Sequence, residues 1–191
     1  LGEAPQCERL LQGTGFVIAP DLILTNAHVV AGATTVRLET VVGMADANVV
    51  HYDPLDDVAL LRTTDLPLEP MQWADQEARP GDDAVVLGFP ESGPLKATPA
   101  RVTENIIIRG PDIYSSTRHE RQSYVLKADV RHGNSGGPLI TPQGQILGLV
   151  FGAGVNNDQT GYALTHAEVQ PHIDEAMDHY GAISTQECVA G

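Results

Sequence analysis

The chain has 191 residues, of which 42% are hydrophobic, 19% charged and 5% aromatic, and its formal net charge is -14. This is the composition of a globular protein long enough for one domain of two packed halves. With 25 acidic against 11 basic residues and no basic stripe, it excludes nucleic acid as a partner and disfavours an anionic membrane surface.

In chain order, "GTGFVI" (13–18) runs through a Pro-Asp turn into "DLILT", two short apolar strands. "TTVRLE" (34–39) and "ANVVHYD" (47–53) alternate apolar and polar residues, and "DVALLRT" (57–63) reads as a buried strand. "ADQEARPGD" after residue 73 reads as a polar linker. Strands resume at 82–90, 99–109, 123–130, 137–152 and 160–166, whereas the polar 110–122 predicts an exposed loop. Val169, Ile173, Ala176, Met177 and Tyr180 recur with a helical period over 166–181, which Gly181 would close. The pattern predicts an all-β fold whose halves divide near residue 80. With few aromatic residues, Val, Leu, Ile and Ala must fill its core.

No run of 18 apolar residues occurs to span a bilayer as a helix, and "LGEAPQCERLL" has neither the basic nor the apolar region of a signal peptide. A targeting segment or anchor would therefore lie outside this sequence. The two cysteines, Cys7 and Cys188, fit no paired metal motif. Bonded, they would tie the two ends together and indicate an oxidising compartment; the alternative is two free thiols.

Chemistry concentrates in "RHGNSGGPLI" (131–140). Ser135 needs a base to become a nucleophile, and a glycine-rich loop lets backbone N–H groups converge on an oxyanion. Gly136 and Gly137 are expected to give a substrate backbone room beside Ser135. His28 stands at the end of the apolar strand in "LTNAHVV", and Asp57 opens "DVALLR". Singly, these residues fit a turn, a structural histidine and a turn cap. Together they form a nucleophile, a proton acceptor and a group that fixes the imidazole tautomer. The histidine and aspartate fall in the first half and the serine in the second, which predicts a site in the cleft between halves.

"GTGFVI", "LTNAHVV", "DVALL", "GNSGGPL" and "TGYAL", in this order over residues 13–181, resemble the chymotrypsin-fold serine proteases, most of all the HtrA-like branch. The resemblance implies two six-stranded antiparallel β-barrels (about 1–80 and 81–165) followed by a helix over 166–181, in a single protease domain spanning 1–191. It implies a serine endopeptidase with His28, Asp57 and Ser135 as catalytic residues, Asp56 being a rival for the aspartate's role. Gly133 and Ser135 would supply the oxyanion N–H groups. Residues 148–152, with Gly148, Leu149 and Val150 among them, would pair with substrate, and Gly161, Tyr162 and Ala163 would wall the specificity pocket. Asp129, six residues before Ser135, is either the floor of a pocket for basic side chains or a strand-end carboxylate paired with Arg131. His132 flanks the site.

The expected partner is a protein or peptide substrate, with no metal and no cofactor, in a monomeric chain. The branch includes a mycobacterial periplasmic protease anchored in the membrane, which implies a periplasmic or extracytoplasmic place, a tether outside this sequence, and a role in envelope stress or acid resistance. The remaining histidines (His51, His119, His166, His172 and His179) show no metal-ligand spacing. Two other classes compete. A catalytically dead binding module would be expected to lose a triad residue or loop glycine, and none is lost. An esterase would show G-x-S-x-G between strand and helix, whereas Ser135 precedes a strand-like "GGPLITP".

Overall fold

Short Val, Ile and Leu runs cut by Gly, Pro and Asp bury their backbone by pairing edge to edge, and the chain does so in two sheets. The computed structural model describes residues 1–4, 7 and 9–189. Its first sheet holds β1 (Gly2–Ala4), β2 (Arg9–Leu11), β3 (Phe16–Ala19), β4 (Leu22–Thr25), β5 (Thr35–Thr40), β6 (Gly43–Asp53) and β7 (Val58–Arg62). Their order is β2-β1-β5-β6-β7-β4-β3. The second sheet is a closed barrel of β8 (Asp83–Gly88), β9 (Lys96–Pro111), β10 (Arg118–Lys127), β11 (Pro138–Ile140), β12 (Ile146–Gly154) and β13 (Asn157–Thr165). Helix α1 (Ala27–Val30) follows β4, and α2 (His166–Met177) follows β13.

The all-β class with a terminal helix is as expected, and three details differ. The first sheet has seven strands, not six: to the five strands β3–β7 the N-terminal segment adds two, β1 and β2, each too short to carry an alternation signal. The predicted loop 110–122 is mostly strand: β9 and β10 run as one long hairpin whose turn is only 112–117. Its polarity reflects alternate side chains facing solvent, as one-sided antiparallel strands allow. Helix α2 stops at Met177, with Asp178 as its C-cap, four residues before Gly181.

Three apolar clusters hold the molecule together. One fills the barrel around Tyr124, Leu139 and Val150, and one backs the first sheet around Val30, Ala59 and Leu61. The third joins the halves. Leu22, Leu24, Val58 and Leu60 of the first sheet meet Ile146, Leu149 and Leu164 of the barrel and Val169, Ile173 and Ala176 of α2. Burying these side chains is worth about 1.5–3 kcal/mol each, so the two sheets are fixed against one another at the position of the cleft.

Candidate active site

His28 lies on α1, two residues past its N-cap Asn26, rather than on the strand itself. Asp57 ends the turn between β6 and β7 with a left-handed backbone, φ 59. Its carboxylate bridges the same residue twice, accepting from the His28 backbone N–H at 2.9 Å and meeting Nδ1 of the ring at 2.7 Å. Asn26 donates its side-chain amide to the Asp57 carbonyl at 2.9 Å, so helix and turn brace each other. Asp57 is buried while the His28 ring is about a third exposed. Burial pulls the imidazole pKa down, but the Asp57 charge and hydrogen bond outweigh it and hold it above the ordinary 6.5. The neighbouring Asp56 turns away to His172 and His119. Burial would raise its pKa, but the hydrogen bond from His172 and the nearby positive charges keep it below the usual carboxylate value.

Ser135 lies half-buried on the loop between β10 and β11. Thr14 stitches this loop to the first sheet: its N–H donates to Ser135 O (2.9 Å) and its hydroxyl to Gly133 O (2.6 Å). Thr25, at the end of β4, donates in turn to Thr14 O at 2.7 Å. A Cβ on Gly13 would touch both Val29 and Ser135, so the serine loop abuts the segment that follows His28. Asn134, Gly136 and Gly137 all spend their N–H groups on carbonyls. Among the described residues, no carbonyl accepts from Gly133 or Ser135, whose N–H groups are left over on the same loop.

Two glycines of the loop have left-handed φ, +94 at Gly133 and +85 at Gly136. A side chain at Gly136 would be driven into Thr14 O and the Thr25 hydroxyl, and one at Gly137 into Leu87 O. The expectation that these glycines make room for a substrate backbone is therefore corrected. The backbones that approach them are the protein's own.

Gly148, Leu149 and Val150 also need correction. They are buried and paired on both sides, Gly148 and Leu149 with β11 and β13, and Val150 with Ala163 and through both its polar groups to Gly136 and Gly137. Such residues have no free edge to offer a substrate. The next residue of β12, Phe151, is partly exposed. That ring stacks on Tyr162 (centroids 6.1 Å apart), and both line a cleft of about 420 Å³ with His28, Asp57, Ile108 and Ile113. Asp129 pairs with Arg131 at 2.9 Å near the surface, the second of its two expected roles. Val130 packs over Gly161, so close that a side chain there would collide with it. His132 is exposed, and its carbonyl accepts from Glu91 N–H at 2.7 Å. Cys7 and Cys188 are bonded to each other. The sequence reading passed over Thr14 and Asn26, although "GTGF" and "TNAH" contain them.

Residues 13–149 match the trypsin-like peptidase domain. The chain belongs to the trypsin-like peptidase family. It is 49% identical over 167 residues to the serine protease Rv3671c of Mycobacterium tuberculosis, covering 87% of this chain and 42% of that protein. It is 34% identical over 174 residues to the serine protease HTRA1A of Danio rerio, 87% of this chain and 35% of that one. The chain thus spans less than half the length of these relatives. Among solved structures, the active form of the Rv3671c protease superposes with a TM-score of 0.96 at 45% identity, covering 99% of this chain and 83% of that one. The inactive form of the same protease gives 0.80 at 47% identity, covering 88% and 85%.

Proposed function

We propose that the chain is a serine endopeptidase in which Ser135, His28 and Asp57 act as a triad. The observation that carries this reading is the 2.7 Å pairing of the His28 ring with Asp57 beside a serine loop that leaves two N–H groups over. Ser135 Oγ attacks the peptide carbonyl carbon while His28 Nε2 takes its proton. The tetrahedral oxyanion receives hydrogen bonds from Gly133 and Ser135 N–H. Collapse breaks the C–N bond, the proton passes from His28 to the leaving amine, and the acyl-enzyme is hydrolysed by water that His28 activates in turn. Asp57 holds the ring tautomer and balances the imidazolium charge. The cleft of Ile108, Ile113, Phe151 and Tyr162 favours apolar residues on the acyl side of the scissile bond. The Asp129–Arg131 pair speaks against a basic pocket floor.

The enzyme acts on proteins outside the cytoplasm, a reading that rests on the Cys7–Cys188 bond and on relatives such as a periplasmic DegP-like endoprotease of Chlamydia pneumoniae. A monomeric catalytic unit, a tether outside this sequence and service in envelope stress or acid resistance complete the proposal. Labelling with a fluorophosphonate and a peptide-library digest test it. Label on Ser135 and cleavage after apolar residues are expected, with both abolished in Ser135→Ala and His28→Ala. A wild-type chain that takes no label and cuts nothing would sink the reading in favour of a binding module.

A further inference from the structure

A second cluster of chemistry-bearing side chains lies one residue from Asp57. Asp56, in the same turn, is held by two hydrogen bonds. Its backbone N–H donates to Asp53 Oδ1 at 2.9 Å, and its Oδ2 is hydrogen-bonded to His172 Nε2 at 2.8 Å. His172 is itself fixed by His51, whose Nε2 lies 2.9 Å from Nδ1. The other oxygen, Oδ1, is wholly buried and accepts no hydrogen bond. His119 Nε2 lies 2.8 Å from it, yet the two do not meet in hydrogen-bond geometry. A buried carboxylate oxygen that accepts no well-formed hydrogen bond is unfavourable unless a cation or a proton satisfies it. Glu168, in the first turn of α2, brings a third ligand. One of its oxygens accepts from Gln122 N–H at 2.9 Å, and the donor atoms of Asp56, His119 and Glu168 all lie within 4.8 Å of one another.

We propose that Asp56, His119 and Glu168 bind a divalent transition-metal ion of the zinc class. Zinc accepts imidazole nitrogen and carboxylate oxygen at about 2.0–2.2 Å, which puts tetrahedral ligand atoms about 3.3 Å apart. The three donors need only small side-chain rotations to reach that spacing, and a water completes the shell. Two carboxylates neutralise the ion's charge, and the imidazole favours zinc over calcium or magnesium. The outer shell is in place: His172, backed by His51, orients Asp56, and the Gln122 N–H orients Glu168. Arg121, the nearby cation, is already spent on the Leu55 and Pro111 carbonyls. The ligands come from the β6–β7 turn, β10 and α2. A bound ion would clip both sheets and the helix together beside the turn that presents Asp57. This site is independent of the peptidase reading.

The test uses the whole chain in a His28→Gln background, which removes the His28–Asp57 imidazole–carboxylate pair, after treatment with a chelator. Zinc is expected to bind once per chain by calorimetry. At a hundred times its Kd it should raise Tm by about 5–10 °C, with no response to calcium. His119→Gln and Glu168→Gln should each lose the shift, while His132→Gln, on the exposed loop, keeps it. No Tm rise with zinc, an equal rise with calcium, or a rise that survives in both ligand variants overturns the site. Should a variant fail to fold, X-ray absorption of the zinc-loaded background protein decides. One imidazole among oxygen ligands supports the assignment, and two or more imidazoles or none refute it.

Discussion

Asp57 adopts φ 59, a conformation that costs a non-glycine residue about 1 kcal/mol or more unless its surroundings impose it. Here they do, through Asn26 at its carbonyl and His28 at both carboxylate oxygens. Asp57→Asn keeps the shape and loses the charge, so kcat should fall about 10⁴-fold with little change in KM. Asp56→Asn, which leaves the His28 contact intact, should cost far less. Equal losses in steady-state peptide hydrolysis would move the role to Asp56. The same contact sets the pH dependence. The folded His28 pKa lies above the unfolded 6.5, so its contribution to stability is fully present below pH 6.5 and is lost as pH rises through the folded pKa. Activity runs the opposite way because the base must be neutral: kcat/KM should be half-maximal above pH 6.5 and fall on acidification. An inflection below 6.5 would show that burial, not Asp57, dominates. Any service in acid must therefore draw on the falling limb of this profile. His28, Asp57 and Ser135 were legible because each sits in a short local motif. Thr14 and the Asp56–His119–Glu168 group were not, since the fold joins positions that no spacing connects.

At the scale of elements, α2 shows why pattern reading succeeded and where it stopped. Its apolar face, Val169, Ile173 and Ala176, is buried in the cluster that joins the two sheets, and burial at a helical period is what the sequence displays. Its end is not displayed. Arg62 of β7 donates to the carbonyls of Ala176, Met177 and His179 and stacks over Tyr180 at 4.3 Å, so a side chain 114 residues upstream terminates the helix. The β9–β10 hairpin departs from its local pattern for the same reason. Arg121 is buried because it reaches the Leu55 and Pro111 carbonyls, a tertiary contact that overrides a polar local sequence. Ile173→Ala should lower unfolding free energy by about 2–5 kcal/mol, since the cavity opens where three elements meet and cannot collapse. Urea unfolding measures it, and a loss below 1 kcal/mol would mean that α2 docks independently of the sheets.

For the whole molecule the decisive connection is between its ends. The tail after α2 crosses back to the first sheet, Ile183 N–H donating to Val49 O, Thr185 to Ala33 O and Gly32 N–H to Thr185 O at 2.9–3.0 Å. Tyr114 of the β9–β10 turn donates to Glu187 O at 3.0 Å, so the barrel's hairpin also grips this tail. The Cys7–Cys188 bond, spanning 181 positions, then locks an arrangement that hydrogen bonds already favour. In the unfolded chain nothing else brings these ends together, so the bond acts chiefly by restricting that state. Loop entropy alone would assign it about 5 kcal/mol, and measured bridges more commonly give 2–5. A chain with both cysteines replaced by serine should therefore fold to the same sheets but melt about 5–15 °C lower, and wild type with reductant should match it. Calorimetry with and without reductant measures the difference. An unchanged Tm would mean that the tail's hydrogen bonds persist in the unfolded ensemble or that the bond is strained enough to cancel its gain. Circular dichroism of the reduced wild type separates these outcomes from loss of the fold, because a native spectrum with a lowered Tm is the signature of a clasp on preformed structure.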